Sequence, residues 1–303
     1  MARKMALGNL RLTCGTLLSG ATYTRLREIF EFSGIRIFSH TTFNKIQFSV
    51  VRPVVHEFWK ANNKLVVEQA IRRGQTKVCG DGQCDSPGHT AKYGIYSIMN
   101  QVEGHILGHR LTQVSEAGNS NRMELFGFKK VLERLVEQGL AVSQVTTDRH
   151  VSVRKYITEN CPNIKLQFDV WHLCKNIKKQ LLKLAKLKPN ADLIPWIKSI
   201  CNHLWWCTAN CGKNAQTLRE MWTSVVHHIT GKHSWTGSQN FHACSHKPYT
   251  KAEHDETAWL KPSNTAHTAL QKVIFDASIL RDLPFLSEFS HTGCIEVYHA
   301  LRN

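Results

Sequence analysis

The sequence predicts an α/β fold with a mixed five-stranded sheet, interrupted by an all-α insertion and preceded by a helical N-terminal region. Short runs of alternating apolar residues in the middle of the chain predict the strands, and apolar residues at helical spacing on both sides predict the helices. The 303 residues, 42% of them apolar, are enough for two cores. The predicted divisions are a helix-turn-helix-like region, an α/β core, an all-helical insertion and the start of a further helix, over 1–75, 76–180, 181–289 and 290–303.

The N-terminal region contains two predicted short helices. Leu26, Ile29 and Phe30 share one helical face, and Phe43 and Ile46 share another. A glycine between them can end the first helix, and a serine can cap the second. Two helices joined in this way form a helix-turn-helix outline. A hairpin that serves only packing or dimerisation has the same pattern, so both interpretations stay open.

The middle of the chain alternates between strands and helices. A short buried strand leads into Asp81, and two alternating segments follow with a turn between them. A helix with a continuous apolar stripe then ends at Gly139. The predicted order is strand, strand, strand, helix, strand, helix, strand, over 78–80, 93–99, 106–114, 125–136, 142–147, 151–159 and 164–168, with another helix beginning near His172.

Beyond His172 the pattern is helical for about a hundred residues, and prolines and glycines mark the breaks. Residues 290–293 then resemble a helix cap, and residues 294–299 begin a last helix. A helix this short with no capping residue after it suggests a fragment of a longer protein.

Three carboxylates lie at positions where a fold with this order of elements binds metal ions. Three strands, a helix and a fourth strand are the order of the RNase H-like nucleotidyl-transfer fold, in which the first and fourth strands carry adjacent metal-binding acids. Asp81 and Asp148 stand at those two places, and Glu296 in the late helix is the candidate third acid. Two hard cations held by carboxylates can activate an attacking oxygen and stabilise a leaving one. Asp85 and Asp169 are alternatives for the first and second acids.

Each acid also has an ordinary structural interpretation. The pair Asp81 and Gly82 is a common turn sequence, and Asp148 follows a strand where it could cap a helix. Their occurrence together, in the expected order and in a basic chain, favours the metal-binding interpretation.

Charge and cysteine content indicate the kind of partner and compartment. The chain has 39 basic and 23 acidic residues, a formal net charge of +16, which predicts a polyanionic partner such as nucleic acid. A basic surface that serves only solubility is the alternative. Ten cysteines scattered through a long chain are typical of a reduced, intracellular protein. The sequence contains no uncharged apolar run long enough to cross a membrane.

Four strings surround the candidate acids: Gly80-Asp81-Gly82, Thr147-Asp148-Arg149-His150, Asp169-Val170-Trp171-His172 with Lys175-Asn176, and Thr292-x-x-Ile295-Glu296-x-x-His299. Together they resemble DDE transposases of the Mutator-like and related groups, and the resemblance covers about residues 77–303. In that family an aspartate commonly followed by glycine supplies the first acid. An aspartate that ends a strand supplies the second and is followed by a Cys-x-x-His or Asp-x-x-His element and a Lys-Asn pair. A late Thr-x-x-x-Glu-x-x-Asn helix supplies the third.

The chain also resembles transposon-derived animal proteins that carry the strings Gly-Asp-Gly-x-Cys-Asp-Ser-Pro-Gly and His-Thr-Gly-x-x-Glu-Val-Tyr-His. It departs from the Mutator-like pattern at two positions. Asp169 stands where those enzymes usually have cysteine, and His299 stands where they have asparagine.

The resemblance implies a nuclear DNA transposase that cleaves and joins DNA, with transposon ends and target DNA as partners and a homodimer as a further expectation. Asp81, Asp148 and Glu296 would bind two Mg²⁺ or Mn²⁺ ions, water would attack a phosphodiester, and the freed 3′-hydroxyl would attack target DNA. His172 would lie beside these acids. Two alternatives remain: a transposon-derived DNA-binding protein without catalysis, and a zinc-stabilised interaction module.

Two further clusters bear on these functions. Cys207, Cys211, Cys244 and His246 are of the types that bind structural zinc, although their spacing is not that of a standard finger and buried thiols with surface histidines are the alternative. A lysine-rich segment follows the predicted site, and its leucines indicate that one face packs while the other carries charge. Four of its lysines are candidate contacts for DNA phosphates, namely Lys175, Lys178, Lys179 and Lys183.

Overall fold

The computed structural model describes residues 5–300, and the predicted fold class is confirmed: the described residues form an α/β fold around a five-stranded mixed sheet. The strand order in the sheet is β3-β2-β1-β4-β5. The strands are β1 (Thr76–Cys84), β2 (Tyr93–Asn100), β3 (Ile106–Gln113), β4 (Val142–Thr147) and β5 (Lys165–Phe168). With the helices between them, they follow the RNase H-like order that the sequence predicts.

The N-terminal region is helical, as predicted. The side chains of Thr22 and Ser39 cap the second and third helices by accepting backbone N–H groups. Gly34, with a φ of 68°, makes the turn between these two helices. The helices are α1 (Leu7–Leu18), α2 (Tyr23–Phe32), α3 (His40–Ile46) and α4 (Arg52–Arg73), with a π-helical turn over Gln47–Val51 before α4.

The hairpin of β2 and β3 packs against the helix that follows it. Strands β2 and β3 pair antiparallel, and α6 (Ser120–Glu137), preceded by the short α5 (Val114–Ala117), lies against them. The apolar stripe of α6 is buried, with Phe128 and Leu135 fully enclosed. Gly127 permits the close approach, because a Cβ there would lie 2.7 Å from the Cβ of Tyr96.

Strands β4 and β5 pair parallel, with Thr147 opposite Phe168 at their carboxyl ends. Between them, α7 (Val151–Asn160) makes the crossover, and α8 (Val170–Ala185) begins directly after β5. The bounds of β4 agree with the sequence prediction. By contrast β1 extends to Cys84, so Asp81 lies within the strand and not at its end.

The remainder of the chain is mostly helical, but not throughout. The described residues 231–250 contain no helix and hold only an isolated bridge between Ser234 and Ala243, so the break that begins at the predicted position, Gly231, is twenty residues long. The helices are α9 (Ile197–Asn210), α10 (Ala215–Thr223), α11 (Val225–His228), α12 (Lys251–Glu256), α13 (Thr265–Ile274), α14 (Ala277–Asp282) and α15 (Gly293–Ala300), with tighter turns at Lys188–Trp196 and Leu283–Leu286.

Contacts divide the chain into two compact units. The first comprises Met1–Thr76, Gly82–Ala141 and Gly293–Asn303, and the second comprises Lys77–Asp81 and Val142–Thr292. In the first unit the buried side chains include Tyr96, Leu107 and Phe128. In the second, β4, β5 and α8 enclose residues such as Val145, Phe168, Leu173 and Leu181, and the later helices pack around Trp222.

Candidate functional site

Two predicted acids, Asp81 and Asp148, lie in the second unit and interact with each other. Asp81 is half-buried on β1, and Asp148 is the half-buried residue directly after β4, the neighbouring strand. Burial raises the pKa of Asp148, the charge of Asp81 raises it further, and His172 and His150 oppose the rise. One oxygen of Asp148 accepts the backbone N–H of His150 at 3.1 Å.

This pair is chemically suited to a divalent cation. Two carboxylates in a partly desolvated place repel each other, and that repulsion disfavours the doubly ionised state. A bound Mg²⁺ or Mn²⁺ would remove the repulsion and is matched by the hard oxygen ligands that the pair offers. The interaction of Asp81 with Asp148 is therefore the feature of the site that fits a metal.

The two alternative acids have structural roles in the hydrogen bonding. The carboxylate of Asp169 is 1% exposed, and it caps α8 by accepting the backbone N–H of Trp171 at 2.6 Å. Its other oxygen accepts both the backbone N–H, at 2.9 Å, and the hydroxyl of Thr292. Asp85 lies on the turn after β1, where it accepts the backbone N–H of Lys92 at 3.1 Å. These bonds account for the positions of both carboxylates.

The segment that precedes α15 is bound along strands β4 and β5. Hydrogen bonds join every second residue of this segment, at positions 288, 290 and 292, to β4, to β5 and to the residue directly after β5. The pairs are Glu288 N–H to Gln167 Oε1 at 3.0 Å, Gln144 Nε2 to Ser290 Oγ at 2.8 Å and Thr292 N–H to Asp169 Oδ2 at 2.9 Å. Since Asp169 N–H also donates to the Thr147 carbonyl at 2.9 Å, Thr292 is tied to the carboxyl end of β4. Glu296 itself lies in the first turn of α15, where it is half-buried.

A buried aspartate holds the chain directly after Asp148. Asp282 is 2% exposed, and it accepts hydrogen bonds from the guanidinium groups of Arg149, at 2.8 Å from Nε, and of Arg154, at 3.0 Å. The ion pairs fix the segment that follows Asp148 and leads into α7.

The four candidate lysines lie on the exposed face of α8. This helix buries its apolar stripe, which includes Leu173, Ile177 and Leu181, and leaves the predicted lysines exposed, namely Lys175, Lys178, Lys179 and Lys183. The N-cap of this helix is Asp169, whose backbone N–H donates to the carbonyl of Thr147, the residue directly before Asp148. The exposed lysines therefore begin near the acid pair.

An aromatic residue that was not among the predicted site residues lies on the same helix. Trp171 is 41% exposed, and the ammonium of Lys175 lies 4.6 Å from the centre of its ring. An exposed ring beside a cation can stack on a nucleic-acid base. The sequence signal was its position beside His172 and before the lysine-rich face.

A group of histidines and one cysteine could hold a metal ion, and it differs from the predicted zinc set. Its four ligand atoms, one each from His228, His233, Cys244 and His246, all lie within 4.8 Å of one another. Cys244 and His246 belong to the predicted set, whereas His228 and His233 were missed. The spacing His228-x4-His233 before Cys244-x-His246 was the available signal.

The other two predicted zinc ligands, Cys207 and Cys211, are not in this group. Both are buried on or directly after α9. The Cys207 sulfur lies 3.3 Å from Nε2 of His203, and the Cys211 thiol lies 3.5 Å from the carbonyl oxygen of Ser287. Packing against these partners accounts for them as small buried thiols.

Comparison with known proteins adds no assignment: neither the protein-family models nor the curated proteins that we searched match this chain. Within residues 5–300, none of the helices combines the length and apolar character needed to cross a membrane.

Proposed function

We propose that this chain is the catalytic part of a DDE-type DNA transposase, which cleaves and joins phosphodiesters with two divalent ions. The observation that carries the proposal is the interacting pair of Asp81, on β1, and Asp148, directly after the neighbouring strand β4 of the sheet. In the RNase H-like enzymes that the chain resembles, acids at these two places hold the ions of two-metal chemistry.

Asp81 and Asp148 would bind Mg²⁺ or Mn²⁺ through their carboxylate oxygens, and Glu296 is the proposed third ligand by its resemblance to the family. When bound, the ions activate the attacking oxygen and stabilise the leaving oxygen.

The chain's own residues supply the positioning. Arg149 and Arg154, paired with Asp282, hold the segment after Asp148. The lysines of α8 would bind DNA phosphates and release counterions, which makes binding salt-dependent. Trp171 would stack on an exposed base. A nuclear location and a homodimer belong to the same proposal and rest on the resemblance alone.

The alternative is a transposon-derived DNA-binding protein that has kept this fold without the chemistry. The two functions differ in what the acids do, since phosphate binding by lysines needs no carboxylate. Retention of both Asp81 and Asp148 in a half-buried, mutually repulsive arrangement favours catalysis. A protein that only binds DNA gains nothing from this repulsion.

The decisive experiment measures metal-dependent cleavage. Supercoiled plasmid is incubated with the full chain and Mg²⁺ or Mn²⁺, and conversion to open circles is measured beside strand transfer of a labelled 3′-hydroxyl DNA end. Asp81→Asn, Asp148→Asn and Glu296→Gln should each lower the rate at least 100-fold while DNA binding is kept, because the ions would lose a ligand. Asp85→Asn is the matched control, and it should remain active.

Two outcomes would overturn the proposal. One is the absence of nicking and strand transfer in a folded preparation that binds DNA, which would select the non-catalytic alternative. The other is residual nicking that the three acid substitutions leave unchanged, which would assign it to a contaminant or to another site.

A further inference from the structure

We infer that His228, His233, Cys244 and His246 form a structural zinc site that holds the segment 231–250 in place. This inference is independent of the proposed nuclease activity, since all four residues lie outside the carboxylate site. Three histidines and one cysteine offer the nitrogen and sulfur ligands that Zn²⁺ prefers. Four protein ligands leave no coordination position open, which is the arrangement of structural sites.

The ligand atoms already lie close to tetrahedral spacing. A tetrahedral zinc keeps its nitrogen and sulfur ligand atoms about 3.3–3.6 Å apart. Here Sγ of Cys244 lies 3.5 Å from Nδ1 of His228, and all four ligand atoms lie within 4.8 Å of one another. Inward movements of about 1 Å would therefore complete a coordination sphere.

The hydrogen bonding of the rings also points to a metal. Both ring nitrogens of His233 are buried, and neither has a hydrogen-bond partner among residues 5–300. A buried polar atom without a partner is costly, so the ring needs a ligand that the protein does not supply. His246 bonds through Nδ1 to the carbonyl of Lys247 at 2.7 Å. With Nδ1 donating, the lone pair of Nε2 remains for a metal, as in other zinc sites.

Two aromatic side chains pack against the histidine rings of the cluster. The aromatic rings of Tyr249 and Trp259 lie against this cluster, with centroids 5.2 and 5.5 Å from that of His233. These rings restrict water around the ligands.

The location of the four ligands explains what the ion would stabilise. His233 and Cys244 flank the only bridge in the segment 231–250, and the N–H of Cys244 donates to the carbonyl of His233 at 2.9 Å. At the far end of the loop, the buried carboxylate of Glu220 accepts the N–H groups of Asn240 and Phe241 at 2.7 and 3.0 Å. Glu220 thus fixes the tip of the loop, and zinc would fix its base.

The test begins with the metal content of the full chain, purified without chelators and dialysed against metal-free buffer. About one zinc ion per chain is expected. His233→Ala and Cys244→Ser should reduce the content at least tenfold. His242→Ala, which removes an exposed histidine from the same loop, is the matched control and should keep the ion. A folded wild-type chain that contains no zinc and takes up none overturns the inference.

Cobalt substitution tests the ligand set. Co²⁺ in the wild-type site should show tetrahedral visible absorption with a thiolate charge-transfer band, and Cys244→Ser should lose that band. An unchanged band in this variant would assign the thiolate to another cysteine and contradict the site.

A measurement on the wild-type chain covers the case in which the variants fail to fold. Alkylation followed by peptide mass spectrometry should find Cys244 protected by zinc and at least tenfold more reactive after chelation. If chelation leaves the reactivity of Cys244 unchanged, the inference is wrong.

Discussion

Glu288 offers a quantitative test of how the segment before α15 is attached to the sheet. Its side chain is 8% exposed, and its carboxylate accepts a hydrogen bond from Lys165 at 2.5 Å and another from Lys77 at 3.2 Å. Lys213 lies at 3.4 Å. The bond from Lys165 is the main cause that lowers the pKa of Glu288 to about 2, against the opposing effect of burial.

The magnitude follows from linkage. The difference between the ordinary pKa of 4.5 and the value of about 2 corresponds to about 3 kcal/mol in favour of the ionised, folded state. The lysines are 42% to 68% exposed, so solvent screens part of this interaction. We expect Glu288→Gln to lower the free energy of unfolding by about 2 kcal/mol at pH 7.

The pH dependence has a definite sign. A lowered carboxyl pKa stabilises the fold fully above its ordinary value of 4.5, and this contribution is lost as the pH falls towards 2. Urea unfolding of the wild type and of Glu288→Gln between pH 7 and pH 3.5 measures it. The difference in the free energy of unfolding between the two proteins should decrease by roughly 1 kcal/mol from pH 7 to pH 3.5. The titration of the other acids contributes equally to both proteins and cancels in this difference.

Glu133→Gln is the matched control. Its ion pair with Lys130 joins exposed residues one turn apart on α6, and such pairs contribute about 0.5 kcal/mol or less. A Glu288→Gln effect as small as this, or one that stays constant from pH 7 to pH 3.5, would refute the role assigned to the three lysines.

Two other predictions concern α8. Asp169→Asn should lower the free energy of unfolding by about 3 kcal/mol, because the amide has a single acceptor oxygen and cannot accept the bonds from both Trp171 and Thr292. DNA cleavage should fall further than the unfolded fraction explains, and cleavage that follows stability alone would limit Asp169 to a structural role. Replacing Lys178 and Lys179 with alanine should reduce the magnitude of the slope of log K for DNA binding against log salt concentration by about 2. Arginine at both positions should preserve the slope. Fluorescence anisotropy measures it, and an unchanged slope in the alanine variant would remove these lysines from the DNA contact.

Much of the fold could be predicted because its signals are local. The alternation in 142–147 and the apolar stripe that ends before Gly139 each arise within one element, and the structure contains both elements as β4 and α6. The first strand was predicted as a short one that leads into Asp81, and the pair Asp81 and Gly82 allowed a turn there. In the structure β1 continues to Cys84, since strand pairing outweighs local turn preference.

The candidate sites were predicted less completely because their contacts join distant parts of the chain. Grouping cysteines by spacing selected Cys207 and Cys211, whereas the turn at 236–242 brings Cys244 back towards His233, and α11 supplies His228. Likewise, nothing in the sequence around Asp169 indicates a bond to Thr292, 123 residues later. Such pairs depend on tertiary packing, to which neither periodicity nor motif spacing is sensitive.

The proposed DNA binding and the proposed catalysis depend on different residues, which the net charge of +16 alone does not distinguish. In the proposed function, the exposed lysines on α8 would act on DNA through long-range attraction that salt screens, whereas the pair Asp81 and Asp148 would act at short range on bound cations. The sequence places six basic residues from Lys175 to Lys188 with no acid among them, so the proposed DNA binding by this face does not require either aspartate to be ionised. DNA affinity therefore tests the lysines, and only the dependence of cleavage on the carboxylates and on the divalent ion tests the enzyme.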